Sequence, residues 1–282
     1  MLLSKKLEYK TLPTVEHPKY IVFCDFDETY FPHTIDEQKQ EDIYELEDYL
    51  EQKSKDGELL IGWVTGSSIE SVLDKMGQGK FRYFPHFIAS DLGTEITYFS
   101  EHNFGQQDHE WNSRINEEFS KKKIDIIVKQ LHESHNISLD PQTQLGKSRY
   151  KHNFYYQEQD EINDKKNLLA IEKICEEYGV SVNINRCNPL AGDPEGSYDV
   201  DFIPMGTGKH EIVKFMLEKH NLHAEKAIAF GDSGNDVRML QAVGNGYLLK
   251  NATQEAKNLH HLISNSEYSK GITNTLKKLI GS

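Results

Sequence analysis

The sequence predicts an α/β protein, a doubly wound and mostly parallel sheet with an inserted α+β domain, on three observations. Tyr20-Ile21-Val22-Phe23-Cys24 is a continuous apolar run that stops at Asp25-Phe26-Asp27. A run without polar alternation reads as a strand buried on both faces, as in a parallel sheet. Helix, strand, helix and strand then follow in turn, which is how a doubly wound sheet begins. That alternation breaks off near residue 101 and resumes near residue 203. The segments 1–100 and 203–282 are therefore expected to build one core around an inserted domain at 101–202.

Each element has its own signal. Residues 1–19 are polar, contain Pro13 and Pro18, and read as a loose arm. After the first strand, Ile43, Leu46 and Leu50 share one stripe and predict a helix over 37–53. A second apolar run over 59–64 ends at Thr65-Gly66-Ser67-Ser68, where Ser67 or Ser68 can cap the helix carrying Ile69, Val72, Leu73 and Met76. Residues 87–89 predict a third strand, short and followed by Asp91-Leu92-Gly93-Thr94-Glu95-Ile96. Inside the insert, a polar loop leads to a helix near 113–135 and a strand-like stretch at 148–157. Leu168, Ile171, Ile174, Cys175 and Tyr178 share a face and predict a helix at about 163–178, with strands at 180–184 and 198–203. The core pattern returns with a helix over 209–220, a strand at 227–230, a helix at 235–242, a strand at 246–249 and two terminal helical stretches. There are no internal repeats and no low-complexity tract.

Composition narrows the function classes. A net charge of −13 over 282 residues argues against broad nucleic-acid binding, which needs a basic face to neutralise phosphates. It leaves room for a small anionic substrate, because a metal ion and one lysine can reverse the local field. Cys24, Cys175 and Cys187 are odd in number and lack CxxC spacing, which makes a disulfide framework or a zinc site improbable. Residues 1–10 hold no apolar stretch of signal-peptide length, and no segment approaches the roughly 18 apolar residues of a membrane span. A cytoplasmic protein without membrane partners is the expectation.

The chemistry gathers at strand ends. Residues two apart in an extended chain face the same side, so Asp25 and Asp27 would meet at a strand tip, where open α/β sheets bind their ligands. Two carboxylates that close favour a shared metal ion or one raised pKa. An Asp-rich turn would look the same in isolation; the other strand ends bear on the choice. The second strand ends in Thr65, and the strand at 227–230 runs into Gly231-Asp232-Ser233-Gly234-Asn235-Asp236. Carboxylates gathered with no imidazole or thiolate companion form a hard-oxygen site suited to Mg²⁺. Lys209 adds a positive charge, but Gly206-Thr207-Gly208-Lys209 is no phosphate loop, because Ile203 stands where the first glycine should be. Gly244-Asn245-Gly246 lacks the third glycine of a dinucleotide fingerprint, and the thirteen histidines show no HxxxH or HExxH spacing.

In order along the chain, Asp25-Phe26-Asp27-Glu28-Thr29, Thr65-Gly66, Lys209 and Gly231-Asp232-x-x-Asn235-Asp236 resemble the four motifs of the haloacid-dehalogenase superfamily of phosphatases. Asp91-Leu92-Gly93-Thr94-Glu95-Ile96, and the insert between the second and third motifs, resemble its sucrose-phosphatase-like branch, whose large α/β cap sets specificity. The resemblance implies a phosphoric monoester hydrolase acting on a sugar 6-phosphate, with an amino sugar as the favoured substrate. Asp25 would be the nucleophile that forms an aspartyl phosphate, and Asp27 the acid and then the base. Thr65, the Gly66 backbone N–H and Lys209 would hold the phosphoryl oxygens, with Asn235 among the substrate-binding residues. Mg²⁺ would be held by Asp25, the Asp27 carbonyl and Asp232, with Asp236 orienting ligands or water behind it. Glu28 stands where the family often has glycine, so the turn after Asp27 is built without glycine's freedom.

In the insert, Lys147-Ser148-Arg149-Tyr150-Lys151-His152-Asn153 is the densest basic and polar cluster. The resemblance turns Lys151 and Asn153 towards the sugar, although a solvated strand face would read the same way. Asp201 resembles an acidic position where the cap rejoins the core, and Asp199 or Asp201 could meet a cationic amine. Sucrose 6-phosphate or a simple hexose phosphate, a phosphosugar mutase and a non-catalytic phosphosugar-binding protein are the alternatives. Trp63 and Trp111 read as packing residues and not as a sugar platform.

Overall fold

The computed structural model describes residues 8–115, 118–142, 148–187, 189 and 193–281. The chain divides into two compact units, 1–112 with 209–282, and 113–208. Both borders therefore lie further along the chain than the expected 101 and 203, at 113 and 209. Residues just past 100 still build the larger unit, because Trp111 packs at a tilt against Phe215 with ring centroids 5.1 Å apart and donates its indole N–H to the Thr94 carbonyl at 3.2 Å.

Strand β1 (Lys10–Thr11) comes first, then β2 (Tyr20–Cys24), β3 (Leu59–Val64), β4 (Tyr83–Phe84), β5 (Phe87–Ser90), β6 (Glu95–Tyr98) and β7 (Gln106–Gln107). The smaller unit supplies β8 (Asp140–Pro141), β9 (His152–Gln157), β10 (Val180–Arg186) and β11 (Ser197–Pro204), and the larger closes with β12 (Ala227–Gly231) and β13 (Asn245–Leu248). The larger unit is built on a seven-stranded sheet in the order β13-β12-β2-β3-β5-β6-β7. Strands β13 through β5 run parallel, while β6 and β7 are antiparallel additions at one edge.

The apolar runs are explained by this sheet having two covered faces. Along β2, Val22 and Cys24 pack into one hydrophobic cluster and Ile21 and Phe23 into another. Helices Glu37–Lys55, Ile69–Gln78 and Tyr268–Ile280 bring Leu46, Met76 and Ile272 to the first cluster. Helix Lys209–Lys219 brings Ile212 and Met216 to the second. With side chains alternating across the sheet, burial on both faces demands an apolar residue at every position.

Three expectations change. The N-terminal arm is tied down in its described part: β1 pairs with β4, Leu12 and Val15 are buried, and His86 bridges the Pro13 carbonyl and the Ile61 N–H at 3.0 and 3.1 Å. The helix expected near 113–135 is two helices, His109–Arg114 and Lys121–His135, the second capped by Ser120. The helix expected at 235–242 is a 3₁₀ turn, Gly234–Asp236, followed by Val237–Gln241.

The smaller unit is a four-stranded antiparallel sheet in the order β10-β11-β9-β8. Helices Lys121–His135 and Glu161–Glu177 pack Ile127, Leu131, Ile171 and Ile174 against Val180, Tyr156, Val200 and Phe202. The alternate positions of the same strands, among them Asn153, Asn183, Asp199 and Asp201, face the other way. No helix among the described residues is long and apolar enough to cross a membrane.

Candidate active site

The tips of β2, β3 and β12 lie side by side in the larger unit, because β2 pairs with β12 on one edge and with β3 on the other. Asp25 follows β2, Thr65 follows β3 and Asp232 follows β12. Topology thus gathers residues some 200 positions apart in sequence: the Thr29 hydroxyl donates to Asp232 Oδ1 at 2.9 Å across a separation of 203.

Asp25, Asp232 and Asp236 are all buried, and each places a carboxylate oxygen within 4.8 Å of the others. Lys209 Nζ lies 2.7 Å from Asp25 Oδ1, 2.7 Å from Asp236 Oδ1 and 3.2 Å from Asn235 Oδ1. Asp236 reaches this position because Gly231 lets it: a Cβ at Gly231 would meet the Asp236 side chain at 2.4 Å. Asp236 Oδ2 in turn accepts the backbone N–H groups of Asp232 and Ser233 at 3.0 and 3.1 Å, which fixes the loop.

Three carboxylates share one ammonium here, and the electrostatics show the shortfall. Burial, together with the charge on Asp236, pushes Asp25 up to about 7 against the pull of Lys209. Burial and the charges on Asp236 and Asp25 raise Asp232 well above the usual carboxylate range. Burial works against the charge on Lys209, but Asp236 and Asp25 outweigh it and hold the ammonium above its ordinary range. Buried negative charge exceeding positive, presented by hard oxygens alone, is the donor set a divalent cation such as Mg²⁺ fits.

Asp27 is treated differently. Lys75 Nζ donates to its Oδ1 at 2.5 Å, Ser67 Oγ to its Oδ2 at 2.8 Å, and His33 Nε2 lies 3.2 Å from Oδ1. Burial alone would raise Asp27, but hydrogen bonding from His33 and the charge and hydrogen bond of Lys75 bring it down to about 2. Asp27 is thus held as an anion, while Asp25 sits near the middle of the titration range.

The turn after Asp27 answers the question of the missing glycine. Glu28 takes φ +56°, the left-handed region that glycine enters freely and glutamate does not. Its side chain holds it there: Oε1 accepts the His33 N–H and Oε2 the Tyr268 hydroxyl, both at 2.9 Å. The Glu28 carbonyl also accepts from Asn251 Nδ2 at 2.7 Å. Contacts from the C-terminal region compensate for the strain.

Thr65 is buried, and its Oγ1 accepts the Ser67 N–H at 3.0 Å; Gly66 lies between them, half-buried. The Leu92 N–H returns to the Thr65 carbonyl and the Asp91 N–H to the Ser67 carbonyl, both at 2.9 Å, from a turn in which Asp91, Leu92 and Gly93 all have positive φ. Of the two serines that could cap helix Ile69–Gln78, Ser68 does so, which frees Ser67 for Asp27. Ser67, Lys75, His33 and Thr29 were not assigned from sequence. Thr29 lay inside a noted motif and Lys75 two helical turns from Ser67, but His33 carries no signal of its own.

The remaining predicted residues lie in the smaller unit. Asp201 pairs in register with Asn153, which donates to its Oδ1, and with Asn183 on its other side. Burial raises Asp201, offset by the charge of Lys151, itself buried. Lys147 lies outside the described residues.

Residues 18–279 match the profile of the sucrose-6F-phosphate phosphohydrolases. The chain belongs to that family. Relatives of this sucrose-6F-phosphate phosphohydrolase family member include a kanosamine-6-phosphate phosphatase of Bacillus subtilis (strain 168), 89% identical over 282 residues, 100% of either chain. An uncharacterized hydrolase of Staphylococcus aureus is 30% identical over 93% of this chain and 97% of its own. A solved haloacid-dehalogenase-like hydrolase from Bacillus subtilis superposes with a TM-score of 0.80 at 89% identity, covering 100% of this chain and 99% of that one. The Synechocystis sucrose-phosphatase, at 18% identity, shares the fold with a TM-score of 0.71 over 93% and 98% of the two chains. The protein is a phosphatase with the haloacid-dehalogenase-like fold.

Proposed function

We propose that this phosphatase hydrolyses a sugar 6-phosphate, kanosamine 6-phosphate, through an aspartyl-phosphate intermediate with Mg²⁺ as cofactor. The observation that carries the chemistry is the buried set Asp25, Asp232, Asp236 and Lys209, with Asp27 two residues from Asp25. The substrate reading rests on the 89% identity, over the whole of both chains, to a kanosamine-6-phosphate phosphatase.

In this reading Asp25 attacks phosphorus and the sugar oxygen leaves, splitting one hard displacement into two easier ones. Asp27 gives the departing alkoxide its proton and later takes one from the water that attacks the acyl phosphate. Held as an anion by Lys75, Ser67 and His33, Asp27 is ready for the second task. For the first, a dianionic phosphoryl group arriving beside it raises its affinity for a proton by like-charge repulsion. Thr65, the Gly66 N–H, Lys209 and Asn235 hold and orient the phosphoryl group. Asp25, the Asp27 carbonyl and Asp232 would hold Mg²⁺, with Asp236 behind them through Lys209 and the loop N–H groups. When bound, the ion neutralises charge that builds up on the phosphoryl oxygens. Lys151, Asn153 and Asp201 are assigned to the sugar, on the support of Asn153 and Asp201 pairing in register on one strand face of the smaller unit and of the Lys151 charge acting on Asp201.

The test is phosphate release from kanosamine, glucosamine, glucose and sucrose 6-phosphates with Mg²⁺ present and Asp25→Asn as blank. Fastest turnover of kanosamine 6-phosphate with a dead variant supports the reading. Equal rates on all four remove the substrate assignment and leave the phosphatase. Turnover that requires a sugar bisphosphate activator and releases no phosphate points to a mutase.

A further inference from the structure

The smaller unit holds a second group of acceptors that the phosphoryl chemistry does not use. Asp199 lies one step along β11 from the row of Asn153, Asp201 and Asn183, on the same face. Gln142, only 8% exposed, donates its Nε2 to Asp199 Oδ1 at 2.7 Å and to the Phe154 carbonyl at 3.0 Å. Those two bonds fix which end of the amide is which, so its Oε1 is an acceptor. That Oε1 is buried and has no hydrogen-bond partner among the described residues. A buried acceptor without a donor costs free energy, and such atoms are rare in native structures.

The surroundings say what kind of donor is missing. Asp193, Asp199 and Asp201 bring three carboxylates; the charge of Lys151 acts on Asp201, and hydrogen bonds from Gln142 and the Cys187 thiol act on Asp199. Burial and its two acidic neighbours raise Asp199 to about 6, in spite of the Gln142 bond. An ammonium satisfies this site: it offers three N–H donors, accepts nothing, and brings a positive charge to a group that, among the described residues, is mostly carboxylate. A hydroxyl in its place supplies one donor and no charge.

We propose that Asp199 and Gln142 bind the ammonium group of the amino sugar and so discriminate it from the sugar that carries a hydroxyl there. The inference rests on the reading of the substrate as kanosamine 6-phosphate. It adds the residues that make the amine, and not the phosphate, the recognised feature.

The experiment compares kcat/KM for kanosamine 6-phosphate and glucose 6-phosphate in the wild type, Asp199→Asn and Gln142→Leu, all with Mg²⁺. Asp199→Asn keeps an acceptor for Gln142 but loses the charge. The expected result is a fall of about tenfold to a hundredfold on kanosamine 6-phosphate, with glucose 6-phosphate changing less than about threefold, as for a lost charged hydrogen bond. Gln142→Leu is expected to narrow the same ratio by about tenfold. A wild-type preference for the amino sugar that survives in both variants overturns the inference and leaves the substrate reading standing. An equal loss on both sugars also overturns it, because it marks a structural role. If wild-type enzyme does not favour kanosamine 6-phosphate at all, the substrate reading falls and takes the inference with it. Should Asp199→Asn fail to fold, the Gln142→Leu ratio decides.

Discussion

The two acidic groups of this molecule, one in each unit, are built alike and finished differently. In the larger unit, Asp25, Asp232 and Asp236 converge on Lys209, and the loops around them are pinned by backbone N–H groups. In the smaller, Gln142 donates to Asp199, Asn153 to Asp201 and the Tyr155 hydroxyl to Asp193, and the Gln142 amide oxygen has no partner among the described residues. Both hold more negative than positive charge. The difference is that the first set surrounds a point with hard oxygens at short range, as a small divalent ion requires, whereas the second lines a strand face with carboxylates and amides, as an organic cation requires. In the proposed function, the same residue type serves as a metal ligand or a sugar contact according to what closes around it.

The largest expected effect separates the two groups by activity. Asp25→Asn should lower kcat on any sugar phosphate by at least about 10⁴-fold, the scale seen when a nucleophile is removed, measured as phosphate release at saturating substrate. A residual rate above that would mean Asp25 is not the attacking group.

Next in size is stability without divalent ions. Asp25 is raised from 3.8 to about 7, so between those values the folded state binds more protons than the unfolded state. Stability from this group is therefore present at low pH and lost as pH rises towards 7. In EDTA at pH 8, Asp25→Asn should be more stable than wild type, on the order of 3 kcal/mol, with the advantage gone below about pH 4. Adding Mg²⁺ at a hundredfold excess over its Kd should recover about 2.7 kcal/mol in the wild type and much less in the variant. Denaturant titrations at the two pH values decide it, and an advantage that persists at pH 4 would contradict the charge argument.

The smallest effect lies in the other group. Asp199 is raised to about 6 and is less deeply buried, so Asp199→Asn should stabilise the ligand-free protein at pH 8 by on the order of 1 kcal/mol. Mg²⁺ should leave that gain unchanged. A gain that Mg²⁺ removes would mean that the two acidic groups are not independent.

Much of the larger unit could be read from the chain. A strand buried on both faces has to be apolar throughout, so β2 and β3 announce themselves, and the aspartates stand out where they stop. Lys209 and Asp236 followed from motif order, and their roles from resemblance. What could not be read is what depends on approach from elsewhere: Ser67 instead of Ser68 turning to Asp27, His33 beside it, or Tyr268 steadying Glu28 across 240 residues. The N-terminal arm looked loose because its ladder is only two residues long, and its anchoring comes from Leu12, Val15 and His86, which no periodicity links. In the smaller unit the strands were legible, but Asp199 gains its meaning from Gln142, which pairs with nothing in sequence.

The position of β12 beside β2 has a consequence for how the protein is made. Every strand pairing of the smaller unit is complete by residue 204, whereas β2 finds its partner β12 only at Ala227–Phe230. Synthesis runs from the N-terminus at about 5–20 residues per second, so a ribosome carries the Asp25 strand for on the order of ten seconds or more before its neighbour exists. Until then one edge of β2 is an open template and Asp25 has no Asp232 nearby. The nascent chain therefore depends on early cover for that edge, and a chain truncated before Ala227 would expose an apolar strand without ever forming a phosphatase.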